Sequence, residues 1–117
     1  MARKKAAGKT GKSKAVTQFA IKVSAVLAGM VEDIRERNGF PSAAVAVRWA
    51  IKQEAMRRAS KESNGPLRED RGQQSILANW RLADADWANV EAVQASLGVK
   101  YAAEAIRHCI VAEFEHR

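Results

Sequence analysis

Two short stretches carry the side chains best suited to reading another molecule. Gln18, Ala20 and Lys22 take every second position between Phe19, Ile21 and Val23, and 59 residues on Leu77, Asn79 and Arg81 alternate in the same way with Ala78, Trp80 and Leu82. Strict alternation is the period of a half-buried strand, one set of side chains turned in and the other out. The outward set holds primary amides, which give and accept a hydrogen bond at once, and cations, which meet two acceptors; adenine and guanine edges present these two patterns. Ala20 and Leu77 offer only apolar contact, of the kind a thymine methyl accepts. Taken singly these are ordinary exposed strand positions. Their recurrence at a matched offset makes them a candidate reading surface.

Other chemistry has weaker support. Residues 6–13 fall one residue short of a phosphate-binding loop: the first glycine is missing, no strand precedes and no nucleotide fold follows. His108 and His116 are far from a metal quartet, and His108 lies four residues after Glu104, a spacing common on helices. The single cysteine, Cys109, excludes an internal disulfide and any multi-cysteine metal site, and its apolar stripe makes it a core residue. No nucleophile, base and oxyanion set is visible. The chain is therefore expected to carry no catalytic residue, no metal, no cofactor and no small-molecule ligand.

The charge is unevenly placed. Of a net +7, Arg3, Lys4, Lys5, Lys9, Lys12 and Lys14 supply six, with no acid among the first 15 residues. A short basic arm favours a polyanion, most often nucleic acid; its bland role is to aid solubility. Gln18 and Lys22 interrupt the fairly apolar residues 15–30, which argues against an export signal, and no apolar run reaches the ~20 residues of a membrane span. A soluble, cytoplasmic protein is expected.

The elements that must position the candidate residues are legible. After the arm (1–15) a first unit covers 16–59: a strand, then a helix capped by Ser24 with Leu27, Met30, Val31 and Ile34 inward, closed by Asn38-Gly39. Pro41 blocks its continuation, and Ser42 opens a second helix whose stripe is Ala44, Val47, Ala50, Ile51 and Ala55. Residues 60–75 hold Gly65-Pro66 and one large apolar side chain, Leu67, and read as a linker. A second unit, 76–117, repeats the order. Asp84 or Asp86 is expected to cap a helix burying Trp87, Val90, Val93 and Leu97; Gly98 ends it, and a last helix buries Ala103, Ile106, Cys109, Ile110 and Phe114. At the same offset Gly39 meets Gly98, Ala43-Ala44 meets Ala102-Ala103, and Arg48 meets Arg107. A repeat of this length marks one supersecondary unit that cannot bury its apolar face alone.

The segment Gln18-Phe19-Ala20-Ile21-Lys22-Val23, the Arg37-Asn38-Gly39 turn with Ser42 after it, and the core positions Val47 and Ile51 resemble the ribbon-helix-helix DNA-binding family of the Arc and methionine-repressor type. The resemblance covers residues 16–59 and, more weakly, 76–115. It implies a mostly helical fold with a two-stranded antiparallel ribbon: a tandem, single-chain pseudo-dimer similar in plan to the TraY type of conjugation protein. It also implies double-stranded DNA as partner. Gln18, Ala20, Lys22, Asn79 and Arg81 would read bases, with Leu77 beside them. Ser42 and Ala43, and in the second unit Lys100 and Tyr101, would meet phosphate at the amino ends of the second helices. Ser42 alternatively serves only as a helix cap, and the second unit lacks that serine.

The expected function is sequence-specific DNA binding as a transcriptional repressor or a plasmid or phage accessory factor, with neighbouring molecules side by side on DNA and Trp49 as one contact between them. The alternative is a protein-binding module on the same scaffold, an antitoxin or an inhibitor of a host protein. Intramolecular and strand-swapped pairing both fit the repeat.

Overall fold

Strand β1 (Thr17–Val23) and strand β2 (Ile76–Leu82) form a two-stranded antiparallel sheet. Ala20 stands opposite Asn79, with Gln18 opposite Arg81 and Lys22 opposite Leu77. Each strand leads into two helices: α1 (Ala25–Asn38) and α2 (Ala43–Ala59) after β1, α3 (Asp84–Leu97) and α4 (Ala102–Glu115) after β2. This computed structural model describes residues 17–116, and side chains from Phe19 to His116. The arm cations Arg3, Lys4, Lys5, Lys9, Lys12 and Lys14, and the Gln18 side chain, lie outside the described residues.

The strands hold their orientation because one face is apolar. Ile21, Val23, Trp80 and Leu82 are buried and Phe19 and Ala78 half-buried, so a slip of one residue would turn the whole set to water. Beneath them α2 packs on α4 and α3, and α1 on α4 and α2. Leu27, Val31, Ile34, Val47, Ile51, Val90, Val93, Ile106, Cys109 and Ile110 form the buried centre, as the helical stripes predict. Met30, Ala44, Trp87, Leu97, Ala103 and Phe114 are half-buried at its margin instead. Burial pushes the Cys109 thiol pKa well up, so this sulfur stays protonated.

Helix ends follow local chemistry, with one correction. Ser24 Oγ accepts from Leu27 N–H at 3.0 Å, and Ser42 Oγ from Val45 N–H at 3.3 Å. Gly39 and Gly98 end α1 and α3 in left-handed conformation, φ 68° and 73°, which glycine adopts without the Cβ clash. Neither aspartate is the N-cap of α3. Ala83 takes that position, and Asp86, in the first turn, accepts from the Ala83 N–H at 2.8 Å. The same Asp86 oxygen accepts from Arg48 Nε at 2.8 Å, so a helix-end carboxylate also ties α3 to α2.

The linker has no regular secondary structure, yet it is a strap pinned along its length. Arg58 holds the Gly65 carbonyl at 3.1 Å, Arg68 N–H donates to His108 Nδ1 at 2.9 Å, and Arg68 also pairs with Glu115. Asp70 accepts from Ser24 N–H at 2.8 Å, from the Ser24 hydroxyl, and from Gly72 N–H at 3.2 Å. A Cβ on Gly72 would stand 2.5 Å from Ser24 Cβ, so the strap passes where only glycine fits. Among the described residues no helix is long and apolar enough to cross a membrane.

Candidate nucleic-acid interface

The alternation that buries one face of the ribbon leaves Ala20, Lys22, Leu77, Asn79 and Arg81 exposed on the other. Leu77 is 60% exposed, although it is a large apolar side chain on a strand. Neither the Lys22 nor the Arg81 side chain makes a hydrogen bond or ion pair among the described residues, so both cations are available. Lys22 opposes Leu77 and Arg81 opposes Gln18, which puts the two cations toward opposite ends of the ribbon. Four strand steps separate those rungs, about 13 Å at ~3.3 Å per residue, which matches about four base pairs at 3.4 Å.

Each end of the ribbon is braced by an arginine, and the two braces differ. Arg107 of α4 donates through Nε to the Lys22 carbonyl at 2.9 Å and has no carboxylate partner among the described residues. Arg48 of α2, its counterpart at offset 59, is neutralised by Asp86 beyond the other end. The positions before α2 and α4 differ as well. Ser42 is exposed and acts as a side-chain cap, the role left open by the sequence, and Ala43 begins the helix half-buried. Tyr101 replaces that cap with no side-chain hydrogen bond and is 62% exposed, while the Lys100 ammonium sits 6.0 Å from its ring centroid. Glu104 in the first turn of α4 works against an anion there.

Below the ribbon is a buried ionic cluster that sequence reasoning missed. His108 Nε2 lies 2.7 Å from Glu54 Oε2, both residues 1% exposed. Because His108 Nδ1 accepts the Arg68 N–H, Nε2 carries the proton and donates to the carboxylate. Glu54 also accepts from Arg57 at 3.1 Å and Ser63 at 3.2 Å, and it pairs with Arg58 at 3.4 Å. Burial acts to raise the Glu54 pKa; the hydrogen bond from His108, then the charge and hydrogen bond of Arg57, outweigh it and lower it to about 2. Arg57 reaches Glu113 at 2.8 Å, and Glu113 accepts from Trp49 Nε1 at 3.1 Å. The Glu104 spacing noted for His108 is not its pairing. A glutamate inside the apolar stripe of α2 was the available signal.

Trp49 is half-buried and forms one wall of an open groove. Phe40 lies against it with ring centroids 5.6 Å apart, and Val45, Arg48, Lys52 and Asp86 complete a space of about 280 Å³. The strap has its own hollow against α4, lined among others by Leu67, Asp70, Glu104 and Arg107. Comparison with protein-family models, with curated proteins and with solved structures finds no match to this chain.

Proposed function

We propose that the chain is a sequence-reading double-stranded DNA-binding protein that lays its ribbon in the major groove, built as two ribbon-helix-helix half-units joined in one polypeptide. The carrying observation is the register. Ala20 and Asn79, counterparts at offset 59, face one another, so the two outward sets fall on one exposed face. Two cross-contacts follow the same exchange: Trp49 donates to Glu113, and their counterparts His108 and Glu54 pair the other way. A half-unit of about 45 residues buries too little surface to be stable alone, and the second half completes the core.

A two-stranded ribbon fits the major groove, and the exposed side chains match base edges: Asn79 adenine, Lys22 and Arg81 guanine, Ala20 and Leu77 a thymine methyl. The outward rungs are unlike, so one molecule reads an asymmetric element. Ser42, Ala43, Lys100 and Tyr101 flank the ribbon as phosphate contacts, and the basic arm adds salt-dependent affinity. The protein then acts by occupancy, as a repressor of transcription or an accessory factor of a plasmid or phage.

Selection from a random duplex pool tests this reading. Lys22→Ala and Arg81→Ala should each relax preference at a separate base position, at a cost of about 1–3 kcal/mol in discrimination. Parent and variants recovering the same sequences with the same affinity would rule out ribbon readout.

A further inference from the structure

The two ends of the ribbon carry the same kind of cation and different companions for it. Offset 59 relates Lys22 to Arg81 and Gln18 to Leu77. In the ladder Lys22 stands opposite Leu77, and Arg81 opposite Gln18. Each end rung therefore sets one cation beside one other outward residue, an amide at one end and a leucine at the other. The fold gains no burial from that leucine. Leu77 is 60% exposed and belongs neither to the buried core nor to the half-buried side chains packed against it. A lone exposed leucine is common. What singles out Leu77 is its place, opposite an unpaired cation on the outward face, where its counterpart is an amide and its strand neighbours on that face, Asn79 and Arg81, are polar.

We propose that Leu77 is a specificity-determining residue that takes the 5-methyl group of a pyrimidine, thymine or 5-methylcytosine, beside the guanine met by Lys22, so that cytosine methylation strengthens binding at this end of the element. The inference rests on the proposed DNA reading and deepens it. In the major groove the methyl group is the apolar feature of a base edge, and the other features are hydrogen-bond donors and acceptors. A leucine neither accepts from the cytosine amino group nor donates to thymine O4, so the methyl group alone decides. 5-Methylcytosine carries it at the same ring position as thymine. Residues directly opposite on one face of a ribbon have Cβ atoms about 5 Å apart, close enough to the ~3.4 Å rise between base pairs for one rung to cover a base step. The rung is also held in place: Arg107 donates to the Lys22 carbonyl at 2.9 Å. Residues 3–15 hold cations and no large apolar side chain, so the chain's own arm offers the leucine no apolar cover. A lysine opposite the leucine suits a polyanion better than an apolar partner surface.

The test uses duplexes that differ by single methyl groups. Selection from a random pool defines the element of the full chain, and Lys22→Ala locates the guanine within it. At the pyrimidine beside that guanine, thymine and 5-methylcytosine should bind alike, and uracil and unmethylated cytosine about fourfold more weakly, the worth of burying one methyl group. Leu77→Ala should erase this methyl preference and leave the guanine preference in place. Leu77→Gln gives both end rungs a cation and an amide, and should move the preference at that position to adenine. Leu77 is exposed, and unchanged melting confirms that both variants fold. A purine at that position in the parent's element, equal binding of the four pyrimidines, or a methyl preference that survives Leu77→Ala would overturn the inference while the DNA reading stands. A Leu77→Ala variant that loses self-association of the chain and selects the parent's sequences unchanged would assign the leucine to a protein contact and overturn it likewise. A pool that yields no element would defeat the proposed function, and this inference with it.

Discussion

Trp49 and His108 hold corresponding places in the two halves, and each donates an N–H across the molecule to the corresponding glutamate, Glu113 and Glu54. The surroundings differ. His108 is sealed under the strap at 1% exposure, with its second nitrogen satisfied by Arg68. Trp49 is half-buried beside an open groove. The strap between residues 60 and 75 bonds His108 through the Arg68 N–H and makes no such bond to Trp49. The site at His108 is a buried ionic cluster. The site at Trp49 keeps an aromatic wall.

The sharpest test of that difference removes the two carboxylates in turn. Glu54→Ala leaves the His108 Nε2 proton without its acceptor and Arg58 without its carboxylate in a buried site, although Arg57 keeps Glu113, and should cost about 3–5 kcal/mol in denaturant unfolding. Glu113→Ala leaves Arg57 its bond to Glu54 and Trp49 its access to water, and should cost about 1–2 kcal/mol, near the net worth of a charge-assisted hydrogen bond. Equal losses would erase the distinction between the halves. The pH dependence has a fixed sign. Because the folded Glu54 carboxyl titrates at about 2, below its ordinary 4.5, its contribution is complete above about pH 4.5 and is lost as pH falls toward 2. Glu54→Gln should flatten that acid limb of the melting curve.

Where apolar periodicity alone decides, the sequence is a sufficient guide. Phe19, Ile21, Val23, Trp80 and Leu82 turn inward in both strands, and Gly39 and Gly98 end their helices, because each outcome depends on one residue's side chain or missing Cβ. The exposed positions Ala20, Lys22, Asn79 and Arg81 follow from the same alternation. What depends on residues distant in sequence was hidden. Glu54 sits in the stripe of Val47, Ile51 and Ala55; Arg57 and Arg58 stand one turn on, but the hydrogen bond from His108 arrives from α4 and carries no local signal. Asp86 resembles a cap, but its oxygen serves the Ala83 amide and Arg48 together. The strap looks like a linker because its bonds are made by backbone groups and by Asp70, which carry no periodic signal.

The strap offers a smaller lever on the same comparison. Gly72→Ala forces a Cβ into Ser24, at the junction of β1 and α1, so the strap or the cap must shift. Overpacking of this kind costs about 1–3 kcal/mol. If the strap moves, amide exchange at Arg68 should accelerate while the Trp49 indole N–H keeps its protection. Loss of protection at both would mean that the two sites are not independently covered.

The smallest effect concerns the starts of α2 and α4, where the halves differ by one side chain. Ser42 Oγ accepts from the Val45 N–H, whereas the corresponding Glu104 N–H donates to the Tyr101 carbonyl at 3.2 Å. Ser42→Ala should therefore destabilise by about 1 kcal/mol, the usual worth of a serine cap. Tyr101→Ser should act in the opposite direction and raise the melting temperature by a few degrees. A cap-for-tyrosine exchange that stabilises the molecule would show that α4 keeps a poorer helix start than α2. Should Tyr101→Ser instead destabilise the monomer, the ring contributes packing within its own half, and the two helix starts are equivalent in stability by different means.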